Sequence, residues 1–277
     1  MLTLPETVDV HAKAAAAKAK LSRTPARLIV SAMLAGMWIG VGDVLMWSAA
    51  GPLHVAGNPF EKLIAGSVFA AALTIVVFAG SELATSAMMI LPLGALRGTI
   101  SWLRGAGVLL GIFFSNMLGA FALAWVLIQT GVLAHGPAAD FFQDYLAGKV
   151  EHTPSELFWR GVLCNVLVSV AIWAAARLKS EAAKAIIIFW GVLAFIASGF
   201  EHVVANMTTF AIGLMQGDVS WADFGTNMTF VGLGNLVGGA IVIGLAYAFV
   251  AGKAGRDDAP VEAAYDAPAD AALVEAR

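Results

Sequence analysis

A single cysteine in 277 residues leaves no intrachain disulfide to staple the fold, and Cys164 lies in an apolar run where a small packed side chain is the ordinary reading. Charge is scarce too. Asp, Glu, Lys and Arg make up 13% of the chain and the net charge is −3, so there is no basic face for nucleic acid. An ordinary soluble domain carries about 25% charged residues, and the polar groups here are too few to cover a water-facing surface. Catalytic signatures are missing as well: no Gly-x-Ser-x-Gly elbow, no His-Glu-x-x-His metal helix and no strong nucleophile–base pair. An enzyme, a metal centre and a bound cofactor are not expected.

What is present is apolar. Hydrophobic and aromatic residues make up 60% of the chain, mean hydropathy is +0.82, and the 29 glycines suit tight helix contacts and broken helices in a bilayer. Spanning about 30 Å of hydrocarbon takes about 20 mostly apolar residues. Six windows qualify, at 28 to 50, 63 to 95, 106 to 133, 157 to 177, 185 to 215 and 228 to 251. The second and fifth are too long for one crossing and contain polar residues (Ser81, Glu82, Thr85 and Ser86; Glu201, His202 and Asn206), so both read as interrupted helices.

Thirteen of the sixteen Lys and Arg residues fall on one side of these spans, with only Lys62, Lys149 and Arg160 on the other. This bias, with an even number of spans, places both termini in the cytoplasm. The chain divides into a cytoplasmic N-terminal segment, 1–27, a six-helix channel domain, 28–252, and an acidic tail, 253–277, expected to be disordered. Residues 6 to 22 read as a short cytoplasmic or interfacial helix rather than a cleaved signal.

An offset of 119 residues lays Gly80, Glu82 and Met88 on Gly199, Glu201 and Met207, and Asn116 and Gly119 on Asn235 and Gly238. Each half holds three spans, an odd number, so the second copy enters the membrane inverted and the two breaks meet near the midplane. Half-helices restart near Ser86 and near Val203, and their N-termini carry partial positive charge that favours an anion.

His202 is the one histidine inside an expected span. It either serves a small anion derived from a weak acid, as donor or proton carrier, or ties two helices together. Glu82 and Glu201 would repel an anion, so they are expected to point away and to accept from exposed backbone N–H groups; the alternative is a proton relay. The Thr85 hydroxyl either faces the anion or bonds its own backbone. Asn165 needs a partner across helices, and His202 is a candidate. Asn116 and Asn235 read as helix-packing glue.

The segments GSELATS (80 to 86), FFSNMLGA (113 to 120), LCNVLVSVAIW (163 to 173), LAFIASGFEHVVANM (193 to 207) and GNLVGGA (234 to 240) resemble the formate/nitrite transporter family, over nearly all of residues 20 to 252, and its nitrite-channel branch more than its formate-channel branch. The resemblance implies an all-α membrane protein, an aquaporin-like inverted repeat of three plus three helices with helices two and five broken, in a prokaryotic-type inner membrane. It implies a homo-pentamer with one pore per protomer. His202 matches the central pore histidine, Thr85 the threonine of the first break, Asn165 the asparagine contacting the histidine, and Glu201 the adjoining acid. Leu73 with Phe69, and Phe195 with Leu83, match two apolar constrictions, while Gly80, Glu82, Ala84, Gly199 and Asn206 shape the breaks. Familiar members carry a bulky aromatic after Leu83; Ala84 here predicts a wider or looser break loop.

The expected partners are nitrite or formate, protons and the lipid bilayer, with hydrosulfide and lactate as further anions of the same kind. A channel for water or glycerol shares the plan, but the paired Asn-Pro-Ala signature is missing.

Overall fold

The computed structural model describes residues 1–252; the expected acidic tail, 253–277, lies outside the described residues. The described chain is helical. α1 (Leu4–Leu21) opens with a capping box between Thr3 and Glu6 and carries Lys18 and Lys20 in its last turn, where they complement the helix dipole. Then follow α2 (Pro25–Val55), α3 (Glu61–Ala79), α4 (Ala84–Leu96), α5 (Trp102–Thr130), α6 (Pro137–Glu151), α7 (Pro154–Arg177), α8 (Glu181–Ala197), α9 (Val203–Gln216) and α10 (Trp221–Leu236). α10 runs on through a π-helical stretch, Val237–Leu245, into α11 (Ala246–Ala251).

Among the described residues, five helices are long and apolar enough to cross a membrane: α2, α3, α5, α7 and the rod from α10 to α11. The remaining apolar windows are divided. The run expected at 63 to 95 is α3 plus α4, and the run expected at 185 to 215 is α8 plus α9.

Burial sorts the helices by role. In the short helices α4 and α9 nearly every residue is buried. The long ones turn apolar side chains outward, with Trp102, Trp125, Trp159 and Trp221 each at least 59% exposed. An exterior of that chemistry suits hydrocarbon, and the interrupted backbone is kept where protein surrounds it. Cys164 is a buried, unpaired thiol, as its apolar setting implies.

Two amphipathic helices pack onto the interrupted pairs. α1 lies against α4, held by an Arg97–Asp9 ion pair at 3.4 Å and by the Thr99 hydroxyl, which donates to the Ala12 carbonyl at 2.9 Å. α6 lies against α2 and α9, with Phe142 edge-on to Trp47 at 4.9 Å. His54 in the last turn of α2 stacks on Phe141 and lies 2.9 Å from Asp144, which pins the same helix.

Candidate functional site

Each interruption begins with a glycine that no L side chain replaces freely. Gly80 has φ of 75° and Gly199 has φ of 73°, the left-handed turn that ends α3 and α8. The chain then runs extended to Leu83 and to His202, the residues that cap α4 and α9.

Asn116 and Asn235 do more than glue helices. Asn116 Oδ1 accepts the Ala84 N–H at 2.9 Å, while its Nδ2 donates to the carbonyls of Glu82 at 2.9 Å and Ala32 at 2.7 Å. Asn235 Oδ1 accepts the Val203 N–H at 2.9 Å, and its Nδ2 donates to Glu201 at 2.9 Å and Gly161 at 2.7 Å. One amide thus satisfies a donor and an acceptor of each break, groups that would otherwise be orphaned among apolar side chains. Ala84 is fully buried and its N–H is fixed by this contact.

The two break carboxylates take partners the sequence did not suggest. Glu82 pairs with Lys18 of α1, and Glu201 pairs with Lys149 of α6 at 2.7 Å. An ammonium satisfies a buried carboxylate better than a backbone N–H because it also cancels the charge. Asn206 Nδ2 adds a second donor to Glu201, at 2.6 Å, and reaches Asn227 Oδ1 at 2.7 Å. Lys149 is itself buried and sits 4.3 Å over the Tyr145 ring. Burial would lower its pKa, but the Glu201 charge and Tyr145 more than offset this and hold the ammonium above its ordinary value. Burial pushes the Tyr145 phenol up to about 12.

His202 heads α9 and is only 3% exposed. Its Nδ1 accepts the Ala205 N–H at 3.1 Å, which assigns the ring proton to Nε2. That Nε2 lies 2.9 Å from the Thr85 hydroxyl, so the hydroxyl meets the other break's ring rather than its own backbone. Phe195 stacks on His202 with centroids 5.8 Å apart, and Phe69 meets Phe195 edge-on at 6.0 Å. Leu73, one turn beyond Phe69 on α3, and Leu83, the α4 cap, are buried too.

Asn165 does not bond to His202. Its Nδ2 donates to the backbone carbonyls of Asn235 at 2.7 Å and Thr85 at 3.2 Å and touches Met88 Sδ at 3.7 Å. It acts on the histidine at one remove, by holding Thr85. Gly239, in the π-helical stretch, makes room for it: a Cβ there would lie 2.5 Å from Asn165 Nδ2. Asp43 was not anticipated at all; it is fully buried on α2, and neither carboxylate oxygen has a hydrogen-bond partner among the described residues.

Residues 6–249 match the family model described as formate/nitrite transporter. The chain belongs to that family. The nitrite transporter NirC of Escherichia coli (strain K12) is 36% identical over 255 residues, covering 91% of this chain and 94% of the relative. A probable formate transporter of Methanothermobacter thermautotrophicus is 38% identical over 261 residues, covering 85% and 93%. Among solved structures, one titled FNT family ion channel superposes with a TM-score of 0.83 at 35% identity, covering 88% of this chain and 98% of that one. A pentameric formate channel with formate bound gives 0.71 at 26% identity, covering 82% and 98%.

Within this formate/nitrite transporter fold, the sequence reading missed Lys18 and Lys149. A lysine beside apolar spans ordinarily reads as a solvated flank. The available signal was the acid at each break, which needed a cationic partner.

Proposed function

We propose that this chain is a passive or proton-coupled channel for small monovalent weak-acid anions, nitrite first among them. In this reading the six spans are α2, α3 with α4, α5, α7, α8 with α9, and α10 to α11, forming an aquaporin-like inverted repeat. Residues 1–27 and both termini face the cytoplasm, residues 28–252 form the channel domain, and the protomers assemble as a pentamer with one pore each. The carrying observation is the meeting of His202 and Thr85 from opposite breaks, beside Phe195 and Phe69. The pentameric formate channel neighbour and the 36% identity to NirC support the assembly and the substrate class.

The anion is drawn toward the start of α4 and the start of α9, where helix dipoles leave positive ends. His202 offers its Nε2–H, and Thr85 gives up that contact to the incoming oxygen. A bare ion pays heavily to enter the apolar rings of Phe69 with Leu73 and of Phe195 with Leu83, while its neutral acid crosses far more cheaply. A proton shared at the histidine offsets that cost. The rings are nearly inaccessible, so they part as the solute passes. Glu201 stays neutralised by Lys149 and does not repel the anion.

Formate is the second reading, favoured by the 38% identity to a probable formate transporter. Purified protein in planar bilayers, given nitrite, formate, chloride and acetate at two pH values, separates the two. Nitrite conductance above formate, with chloride excluded, is the expected result, and His202→Asn is expected to change anion flux or its pH dependence. Unchanged nitrite flux across pH in that variant removes the histidine from the mechanism.

A further inference from the structure

On the face that carries most of the Lys and Arg residues, well away from His202, the end of α1 meets the start of α5 around Arg104. Arg104 Nη2 donates to the Ala19 carbonyl at 3.0 Å and to Ser22 Oγ at 2.6 Å, both neutral acceptors. Lys20 and Arg23 stand exposed beside it, and none of these three cations has a carboxylate partner among the described residues. Two grooves share this arginine. One, of about 640 Å³, is lined about equally by polar and apolar groups and runs over Lys20, Arg23, Thr99 and Ser101. The other, of about 520 Å³, leaves Ser22 and Ser101 and continues along Leu28, Leu103, Gly107 and Val108. Gly107 is a notch in that wall, since a Cβ there would meet nothing within 4 Å. From Arg104 to Val108 is one helical turn, about 6 Å of depth, so polar head and apolar wall follow each other in the direction of the bilayer normal. Trp102 and Leu103 face outward at the same level.

We propose that this double groove binds an acidic phospholipid, its phosphate set among Lys20, Arg23 and Arg104 and one acyl chain lying along Gly107 and Val108. Charge selects the head: a zwitterionic lipid would leave the cluster uncompensated, whereas each basic residue near an anionic headgroup adds attraction of about 1 kcal/mol, or roughly fivefold. The apolar extension selects a lipid over a free phosphate, which would use only the polar half. A bound lipid would clamp the last turn of α1 to α5, and α1 carries the Lys18 that neutralises Glu82. The site does not depend on which anion the channel conducts.

The test is native mass spectrometry of the delipidated full chain in its intact assembly. The probes are phosphatidylglycerol, phosphatidylethanolamine of the same chain length, glycerophosphoglycerol and inorganic phosphate. Lys20→Gln with Arg23→Gln removes two exposed side chains that make no hydrogen bond or ion pair among the described residues, and Gly107→Leu fills the notch while leaving the charges. Phosphatidylglycerol is expected to be retained about a hundredfold over phosphatidylethanolamine, and the double variant to erase about 25-fold of that preference. Gly107→Leu should cut phosphatidylglycerol retention without lowering the unfolding temperature. Equal retention of the two lipids, or an undiminished preference in the double variant, overturns the proposal. So does displacement by glycerophosphoglycerol or phosphate at the same concentration, which makes the groove a free-anion site. Absence of retained acidic lipid overturns it too, because a neighbouring copy then covers the groove.

Discussion

The Nε2 atom of His202 lies 2.9 Å from the Thr85 hydroxyl, and this one contact joins the two interruptions of the chain. With Nδ1 already accepting the Ala205 N–H, Nε2 is the ring's only free donor. Thr85→Val removes the acceptor and leaves a buried N–H unpaired, a loss of about 1–3 kcal/mol. Thermal unfolding in detergent should show that loss, while nitrite uptake into proteoliposomes should not fall for want of this contact, because Thr85 gives it up to the incoming oxygen. Thr85→Ser keeps the hydroxyl and should preserve both. A valine variant with unchanged stability would mean that the contact carries no weight.

The buried Lys149–Glu201 pair makes a different prediction. Deleting one member strands the other's charge, which costs about 3–5 kcal/mol. Lys149→Met should therefore be severely destabilised, and Lys149→Met combined with Glu201→Gln should recover most of the loss. Equal damage in both would assign the effect to packing of the lysine stem. The pH sign also follows. Because the folded Lys149 pKa lies above its ordinary 10.5, its contribution is complete below that value and fades only as pH rises through the higher folded value. Unfolding temperatures should show no alkaline loss from this residue up to about pH 9.

How far the site was legible depends on the kind of residue. Gly80 and Gly199 could be read because a left-handed turn demands glycine and the demand recurs in both halves of the chain. His202 could be read because a histidine among apolar residues has few ordinary uses. The role of Asn116 and Asn235 was half visible: their shared spacing marked them, but an amide that closes a break looks in sequence like one that packs two helices. Thr85 and Asn165 were ambiguous because side-chain direction is set by tertiary contacts, and it turned Asn165 toward a carbonyl of Thr85 instead of the imidazole. Lys18 and Lys149 were invisible as functional residues, since nothing local says that a short amphipathic helix folds back to deliver its lysine to a break.

His11 predicts an acid-sensitive α1. Its ring is buried and stacks on Trp173 with centroids 5.3 Å apart. Burial, with a smaller contribution from the Lys18 charge, lowers its pKa from 6.5 to about 4. A base with a depressed folded pKa stabilises fully above 6.5, and that stability drains away as pH falls toward 4, because the unfolded or undocked form binds the proton first. The amount at stake is about 3 kcal/mol. Limited proteolysis of α1, or Trp173 emission, should report undocking over that window, and His11→Phe should flatten it. An identical pH profile in the phenylalanine variant would place the titrating group elsewhere.

Gly239 is predicted to matter chiefly through Asn165. A methyl at Gly239 would sit 2.5 Å from Asn165 Nδ2 and 3.1 Å from Ser169 Oγ, so the amide must withdraw from the carbonyls of Asn235 and Thr85. Asn235 also clamps both sides of His202, through the Glu201 carbonyl and the Val203 N–H, so the displacement reaches both breaks at once. Gly239→Ala should cost about 1–3 kcal/mol and alter the pH profile of nitrite flux. Gly225→Ala on the same rod, where a Cβ meets nothing within 4 Å, should be neutral or slightly stabilising, because alanine is the better helix former. Combining Gly239→Ala with Asn165→Ala separates the causes. If the methyl acts by pushing the amide aside, the double variant loses little beyond Asn165→Ala alone, and a coupling energy appears in the cycle. Strictly additive losses would mean that the π-helical stretch needs its glycine for backbone reasons and that the brace between the breaks is incidental.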